Sequence, residues 1–419
     1  MSHPRRRRSF ALLAVPFLLV ACGSPAPSAS PSPSPTSAPT TAPTAAASQD
    51  LAAVYAEINR QVQAIRGLDE LEPIVPKIVS SAELAKVLRS SLERDYPPAK
   101  LAADESLYKG LGLLPADAKL GDVFLDLLET GVAGLYDPVT KSVYVLSKEG
   151  GVGPVERFFY SHEYDHALQD QHYDLEAIQK GLEDQSDRLQ ARQALVEGDA
   201  YVTMTYWMQQ NLTPSEVGEV MGGTNDPEVL AQLQKIPPIV QNQITFSAVQ
   251  GTLFVAAQQQ QGGWEVIDKA FADLPESSEQ ILHPDKWASR EAPIAVKLPA
   301  NLATKMGTGW TTSLEDTWGE QQLQIWLGGM NEANAAQGWG GDRVTLLQGP
   351  ADAWAIAWHT VWDTPADANE FETSAQPALA KSPGKGSVLP GEGGATRWVV
   401  IGSDDKVLAK IAGVLGLAG

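Results

Sequence analysis

The chain has 419 residues, with 51 acidic against 31 basic side chains and a formal net charge of −20. That excess of acid argues against nucleic acid as a partner and against electrostatic attachment to anionic lipid. A single cysteine excludes an intrachain disulfide and a thiolate metal site.

Residues 1–21 read as an export signal: Arg5 to Arg8 form the charged start, and Phe10 to Val20 an apolar run too short to span a bilayer. Leu19-Val20-Ala21-Cys22 resembles a bacterial lipobox, so Cys22 is the expected lipidated first residue of the mature chain. Arg7-Arg8-Ser9-Phe10 also loosely matches a twin-arginine signal, as polyarginine runs do by accident. From 22 to 48 the chain is almost entirely Pro, Ser, Ala and Thr, which cannot bury a core and reads as an extended tether. The expected location is therefore extracytoplasmic, on a membrane of the bacterial cell envelope, reached through the lipid on Cys22. Without the leader and its four arginines the charge becomes −24. About 370 residues remain, enough for a larger unit over 49–300 and a smaller one over 301–419.

Taken in chain order, 51–66 reads as an amphipathic helix stopped by Gly67, and 79–92 as a second. Asp95-Tyr96-Pro97-Pro98 marks a turn, and 107–128 suggests further helix, broken near Pro115. Short β-prone runs at 134–136 and 142–146 flank the turn residues 137–141 and predict a hairpin. Gly150 to Pro154 then give a loop and a helix start. Val155, Phe158, Phe159, His162, His166, Gln169 and Tyr173 recur at helical spacing.

That helix carries His162-Glu163-Tyr164-Asp165-His166. Histidines four apart on a helix share a face at the spacing two zinc ligands need, and the glutamate between them can reach a water at the metal. A second helix is expected over 188–210, where Leu189, Val196, Glu197, Ala200 and Met204 lie along one side. A carboxylate on an apolar stripe is costly unless paired or metal-bound, which favours Glu197 as third ligand. Three protein ligands with an open position are the mark of catalytic zinc. The plainer alternative is two core histidines with satisfied ring nitrogens.

Other residues are weaker candidates. Asp170, one turn past His166, and Asp199, about 200° round the helix from Glu197, are candidates for holding a ligand imidazole. Gly198 costs helix stability and suggests close helix approach. His283 and Tyr201 are candidates for stabilising an oxyanion, with packing as the commoner role for each. His172 reads as a helix-end histidine, and His359 as part of a strand.

From 301 the expected elements are a helix at 314–327, strands at 343–347 and 353–362, a helix at 366–376, a strand at 397–401 and a helix at 404–415. This is a small α+β unit. Its tryptophans Trp310, Trp318, Trp326 and Trp339 could line a groove, though such residues are more often core.

The stretch from Phe158 to Leu175, joined to Ala194-Leu195-Val196-Glu197-Gly198-Asp199-Ala200, resembles a group of bacterial envelope lipoproteins with a gluzincin-like zinc metallopeptidase core. Gly262-Gly263-Trp264-Glu265 and Ser278 to Pro284 resemble further blocks of that group. The resemblance runs from the hairpin to about Pro299 and more loosely beyond. It implies a zincin core with His162, His166 and Glu197 holding Zn2+ and Glu163 as base, and it supplies no substrate. Thermolysin-like peptidases carry an edge strand where this hairpin stands, and such an edge binds an extended peptide; a purely structural hairpin is the other reading. One departure is Asp165, charged where the pattern is usually uncharged, and expected to face solvent.

The fold expected is therefore α+β and mostly helical, with a zincin-like core and a smaller C-terminal α+β unit. The function expected is that of a zinc-dependent hydrolase acting on a peptide or protein. A non-catalytic envelope binding protein on the same scaffold is the alternative. A structural zinc site fits less well, because it would normally take four ligands.

Overall fold

The computed structural model describes residues 50–131, 134–146, 151–224, 231, 234–329 and 335–417. The export signal at 1–21, Cys22 and the tether lie outside the described residues. Among the described residues no helix is long and apolar enough to cross a membrane.

Helix α1 (Leu51–Arg66) starts at Asp50, whose side chain accepts from Ala53 N, and ends at Gly67 with φ 77°. The helix expected from Val79 begins two residues later. Ser80 and Glu83 form a capping box that sets the start of α2 (Ser81–Asp95), and Val79 joins strand β1 (Lys77–Val79) instead. Likewise the helix expected from 107 starts at Pro98, a proline placed where its missing N–H costs nothing. The segment divides into α3 (Pro98–Gly110) and α4 (Leu120–Gly131) around Pro115.

The hairpin forms as β2 (Gly134–Asp137) and β3 (Ser142–Leu146), pairing Leu135 with Tyr144 and Tyr136 with Val143. Strand β1 adds to β3 in parallel, giving a three-stranded sheet in the order β1-β3-β2. Helix α5 (Pro154–Tyr173) follows, with the Glu156 carboxylate accepting the Gly153 N–H at 3.1 Å at its start. After α6 (Leu175–Gln179) comes α7 (Ser186–Asn211), then α8 (Pro214–Thr224) and α9 (Pro238–Thr245). A π-helical turn over Phe246–Gln250 leads into α10 (Gly251–Gly262). Short helices α11 (Trp264–Ala272), α12 (Ser278–Leu282), α13 (Pro284–Ser289) and α14 (Leu302–Met306) complete this part.

Gly198 on α7 does permit a close approach, and the neighbour is α10. A Cβ at Gly198 would lie 2.2 Å from Gly251 O, and one at Gly251 would lie 2.1 Å from Ala194 O. With α5 on its other side, α7 is sandwiched, and residues 194–204 are buried without interruption.

The C-terminal part is an antiparallel five-stranded sheet in the order β4-β5-β6-β8-β7. Its elements are β4 (Thr311–Asp316), α15 (Gly319–Leu327), β5 (Trp339–Gln348), β6 (Trp354–Trp362), α16 (Pro365–Leu379), β7 (Lys385–Pro390), β8 (Thr396–Gly402) and α17 (Asp405–Val414). Two strands differ from expectation. Residues 314–316, read as helix, pair with β5 as the end of β4. Strand β7 holds a glycine and a proline that weaken its pattern, and both are tolerated because it is an edge.

Trp318, Trp326 and Trp339 are core residues, each at most 2% exposed, so they line no groove. His359 stacks on Trp398 across β6 and β8, with ring centroids 4.2 Å apart. The core on this sheet also takes in Leu107 of α3, Leu111 just past its end, and Ile239 and Val240 of α9. Hydrophobic packing therefore runs across the expected boundary at 300.

Candidate metal centre

Helices α5 and α7 bring His162, His166 and Glu197 together in the interior, at 2%, 0% and 1% exposure. The two imidazoles stand almost perpendicular, at 83°, with Nε2 atoms 3.0 Å apart. Glu197 Oε2 lies 3.4 Å from Nε2 of His162 and 3.8 Å from Nε2 of His166. Ligand atoms placed tetrahedrally at zinc distances are about 3.3 Å from one another. The three atoms therefore fit one ion. Neither oxygen of Glu197 has a well-formed hydrogen bond, an arrangement that is costly for a buried carboxylate unless a cation takes its place.

The electrostatics follow from this packing. Burial and the neighbouring His166 hold His162 down at about 4. Burial opposes protonation of His166 too, but the Glu197 carboxylate outweighs it and raises that ring to about 9. Glu197, which burial alone would raise, is pulled down to about 2 chiefly by His166. These opposed shifts favour one positive charge beside the Glu197 carboxylate, the place a metal cation would take.

Behind this group is a polar layer of which the sequence disclosed little. Gln169 Oε1 lies 2.9 Å from Nδ1 of His166, while Gln169 Nε2 donates to Val196 O, Asp199 Oδ2 and Asp165 Oδ2 at 3.0–3.1 Å. Asp199, pointing away from Glu197 as the helix geometry requires, meets Nε of Arg66 at 2.8 Å. Arg66 is the last residue of α1 and is fully buried, with Trp264 stacked against its guanidinium at 4.7 Å. Asp165 does not face solvent: it is 0% exposed, and burial together with Asp199 raises its carboxyl well above the usual range against the pull of Arg66. A glutamine on the histidine stripe of α5 was the available signal for Gln169; nothing local marked Arg66.

Glu163 faces the hairpin. Its Oε2 accepts the backbone N–H of Tyr136 at 2.7 Å, and a Cβ at Gly134 would lie 3.1 Å from its Cγ. Strand β2 is buried throughout, so this amide serves the glutamate rather than an incoming strand. Burial pushes Glu163 up to about 7, with His166 and the Tyr136 amide opposing.

Of the other candidates, Tyr201 packs its ring edge-on to His162, with centroids 4.8 Å apart. Burial, then Glu197 and Glu163, push its hydroxyl far above the ordinary tyrosine value. Asp170 does not turn to His166. It accepts from Tyr136 Oη at 2.5 Å, Lys141 Nζ at 2.6 Å and Leu175 N at 2.9 Å, pinning the hairpin to α5. His283 Nε2 lies 3.0 Å from both oxygens of Glu320, at the junction with the C-terminal part. His172 bonds Asp69 O at the end of α5. Glu279, Glu291 and Asp363 also cluster, but around the Lys286 ammonium at 2.6–2.8 Å, which already supplies their cation.

Residues 308–411 match a family model described as a domain of unknown function, DUF8575. That stretch is the C-terminal sheet with its helices and contains none of the metal-centre residues. No curated protein and no solved structure matches the chain. Fold and site together define a mostly helical α+β protein with a buried His-His-Glu group able to hold a metal ion.

Proposed function

We propose that the protein is an extracytoplasmic zinc-dependent hydrolase, anchored through Cys22, whose substrate is a peptide or protein. The observation that carries this reading is the convergence of three ligand atoms, two nitrogens and one oxygen, within 4.8 Å in a buried site. Three such ligands suit zinc with a position left open for chemistry. When bound there, zinc acidifies water and polarises a carbonyl.

The protein's own groups supply the rest. Glu163, raised to about 7, is matched to proton transfer near neutrality. With Oε2 held by Tyr136 N–H, Oε1 is the atom that takes the proton and passes it to the leaving amine. Tyr201 keeps its proton at any physiological pH, and in that form donates to a developing oxyanion. Gln169, backed by Asp199, holds the His166 ring in place.

The test is metal analysis beside hydrolysis of a generic protein such as casein. Wild type and Glu163→Gln should each hold about one zinc per chain and His162→Ala none. Chelator-sensitive hydrolysis should fall at least 100-fold in Glu163→Gln, on the order expected for loss of a general base. Full hydrolysis by Glu163→Gln would overturn the assignment. Zinc without hydrolysis in the wild type would favour a binding protein.

A further inference from the structure

One face of α7 leads away from the metal centre. Leu189, Gln193 and Glu197 stand at intervals of four, so Gln193 and Leu189 lie about 6 and 12 Å along the helix from the ligand position. Together with α2, α3, α4 and α9 this face lines a half-open cavity of about 200 Å³ that reaches Glu197. Its apolar wall comes from Leu92 and Tyr96 at the end of α2, Phe124 and Leu127 of α4, Leu189, and Ile244 of α9. The π-helical turn also contributes, through Ser247. Such turns are rare and concentrate at functional sites.

We propose that this cavity is a specificity subsite of the hydrolase, receiving one large uncharged side chain of the substrate, apolar or aromatic. The inference rests on the metal-centre reading above and adds to it what the site selects. Size limits the occupant to a single side chain, since pockets for whole small molecules run to about 300–1,000 Å³. The 6–12 Å offset equals two to four residues of extended chain at most, so a neighbour of the scissile bond reaches it.

Charge excludes the alternatives. Apart from Glu197, which the metal reading assigns to the ion, the acidic and basic side chains on the cavity wall are already paired: Asp95 with Arg94 at 2.8 Å, and Lys100 with Asp104 at 3.0 Å. Tyr96 also donates to Asp104. An arriving acidic or basic side chain would lose its water and gain no free counter-charge. Two of the glutamines are committed as well, Gln190 to Gln243 O and Gln243 to Tyr108 and Gln322. Gln193 has no such side-chain partner among the described residues, and its carboxamide, one turn from Glu197, is placed to hold the substrate backbone. Residues 92–127, upstream of the hairpin, thereby become part of the substrate site.

The experiment titrates the zinc-loaded full chain with three hydroxamates, of acetic, 3-phenylpropionic and succinic acid, by calorimetry. The hydroxamate reports the metal and the tail reports the cavity. The phenyl compound should bind at least about 10-fold tighter than acetohydroxamate, as burial of one aromatic side chain implies, and the succinyl compound no tighter. Leu189→Trp, which fills the cavity, and Phe124→Ala, which removes part of its wall, should each bring that ratio towards unity. A ratio of unity in the wild type, or a wild-type ratio in both variants, overturns the subsite and leaves the metal reading standing. Failure of acetohydroxamate to bind the zinc-loaded wild type overturns the metal reading and the subsite with it.

Discussion

The Oε1 atom of Gln169 lies 2.9 Å from Nδ1 of His166, one turn further along the same helix. The amide nitrogen of Gln169 has three oxygen acceptors on its own side, from Asp165, Val196 and Asp199, so its oxygen must face the imidazole. That makes Nδ1 a protonated nitrogen whether or not the ring is charged, and turns Nε2 towards His162 and Glu197. Groups that orient a ligand histidine typically carry 10–100-fold in metal affinity. Gln169→Leu should therefore weaken zinc binding by about that factor in a chelator-competition titration. Unchanged affinity would mean that packing alone holds the ring.

Arg66 is the guanidinium that faces Asp199 and, at longer range, Asp165, and all three are fully buried. Removing one partner of a buried ion pair leaves an uncompensated charge and costs about 3–5 kcal/mol. Arg66→Met should lose that amount in urea unfolding. Adding Asp199→Leu to it should restore part of the loss, because both halves of the pair are then apolar. A single variant as stable as wild type would show that α1 contributes by its apolar face alone.

The crossing of α7 and α10 depends on two glycines. Gly198→Ala and Gly251→Ala each place a methyl within 2.2 Å of a backbone oxygen, a clash no rotamer relieves. Each should destabilise by about 1–3 kcal/mol, as overpacking of a core does. Gly218→Ala makes the contrast: it lies in α8 with no atom within 4 Å of the added carbon and should stabilise by about 0.5–1 kcal/mol. Thermal melts of the three variants decide it.

Glu320 raises the pKa of His283 above its ordinary 6.5, by hydrogen bond first, against partial burial. A raised folded value gives stability that is complete below the unfolded pKa and disappears as pH climbs through the folded one. The stability gap between wild type and His283→Gln should therefore be larger at pH 6 than at pH 9. Denaturant midpoints at the two pH values measure it, and a gap that grows with pH would show that the pair is not ionic in the folded state.

Legibility in the sequence followed the range of the interaction. Periodicity disclosed α1, α5 and α7, and the turn residues disclosed the hairpin, because helix spacing, caps and turns are set by neighbours in the chain. The apolar pattern begins at Val79, two residues before α2, although Ser80 and Glu83 spell the capping box that sets its start. Charge alone points Asp165 to solvent, since charged residues are usually exposed. It is buried instead among Gln169, Asp199 and, at longer range, Arg66, 99 positions earlier in the chain.

The sequence by itself determined that two imidazoles would share a helix face and that an apolar stripe would carry a glutamate into the interior. Both follow from the 3.6-residue turn. Only the tertiary structure decided that these groups meet, and what stands behind them. Tyr136 reaches Glu163 across 27 residues, Gln169 reaches Asp199 across 30, and Arg66 reaches Asp199 across 133. Contacts of that separation carry no periodic trace, because they exist only once hydrophobic burial has packed the helices and buried polar groups have had to find partners.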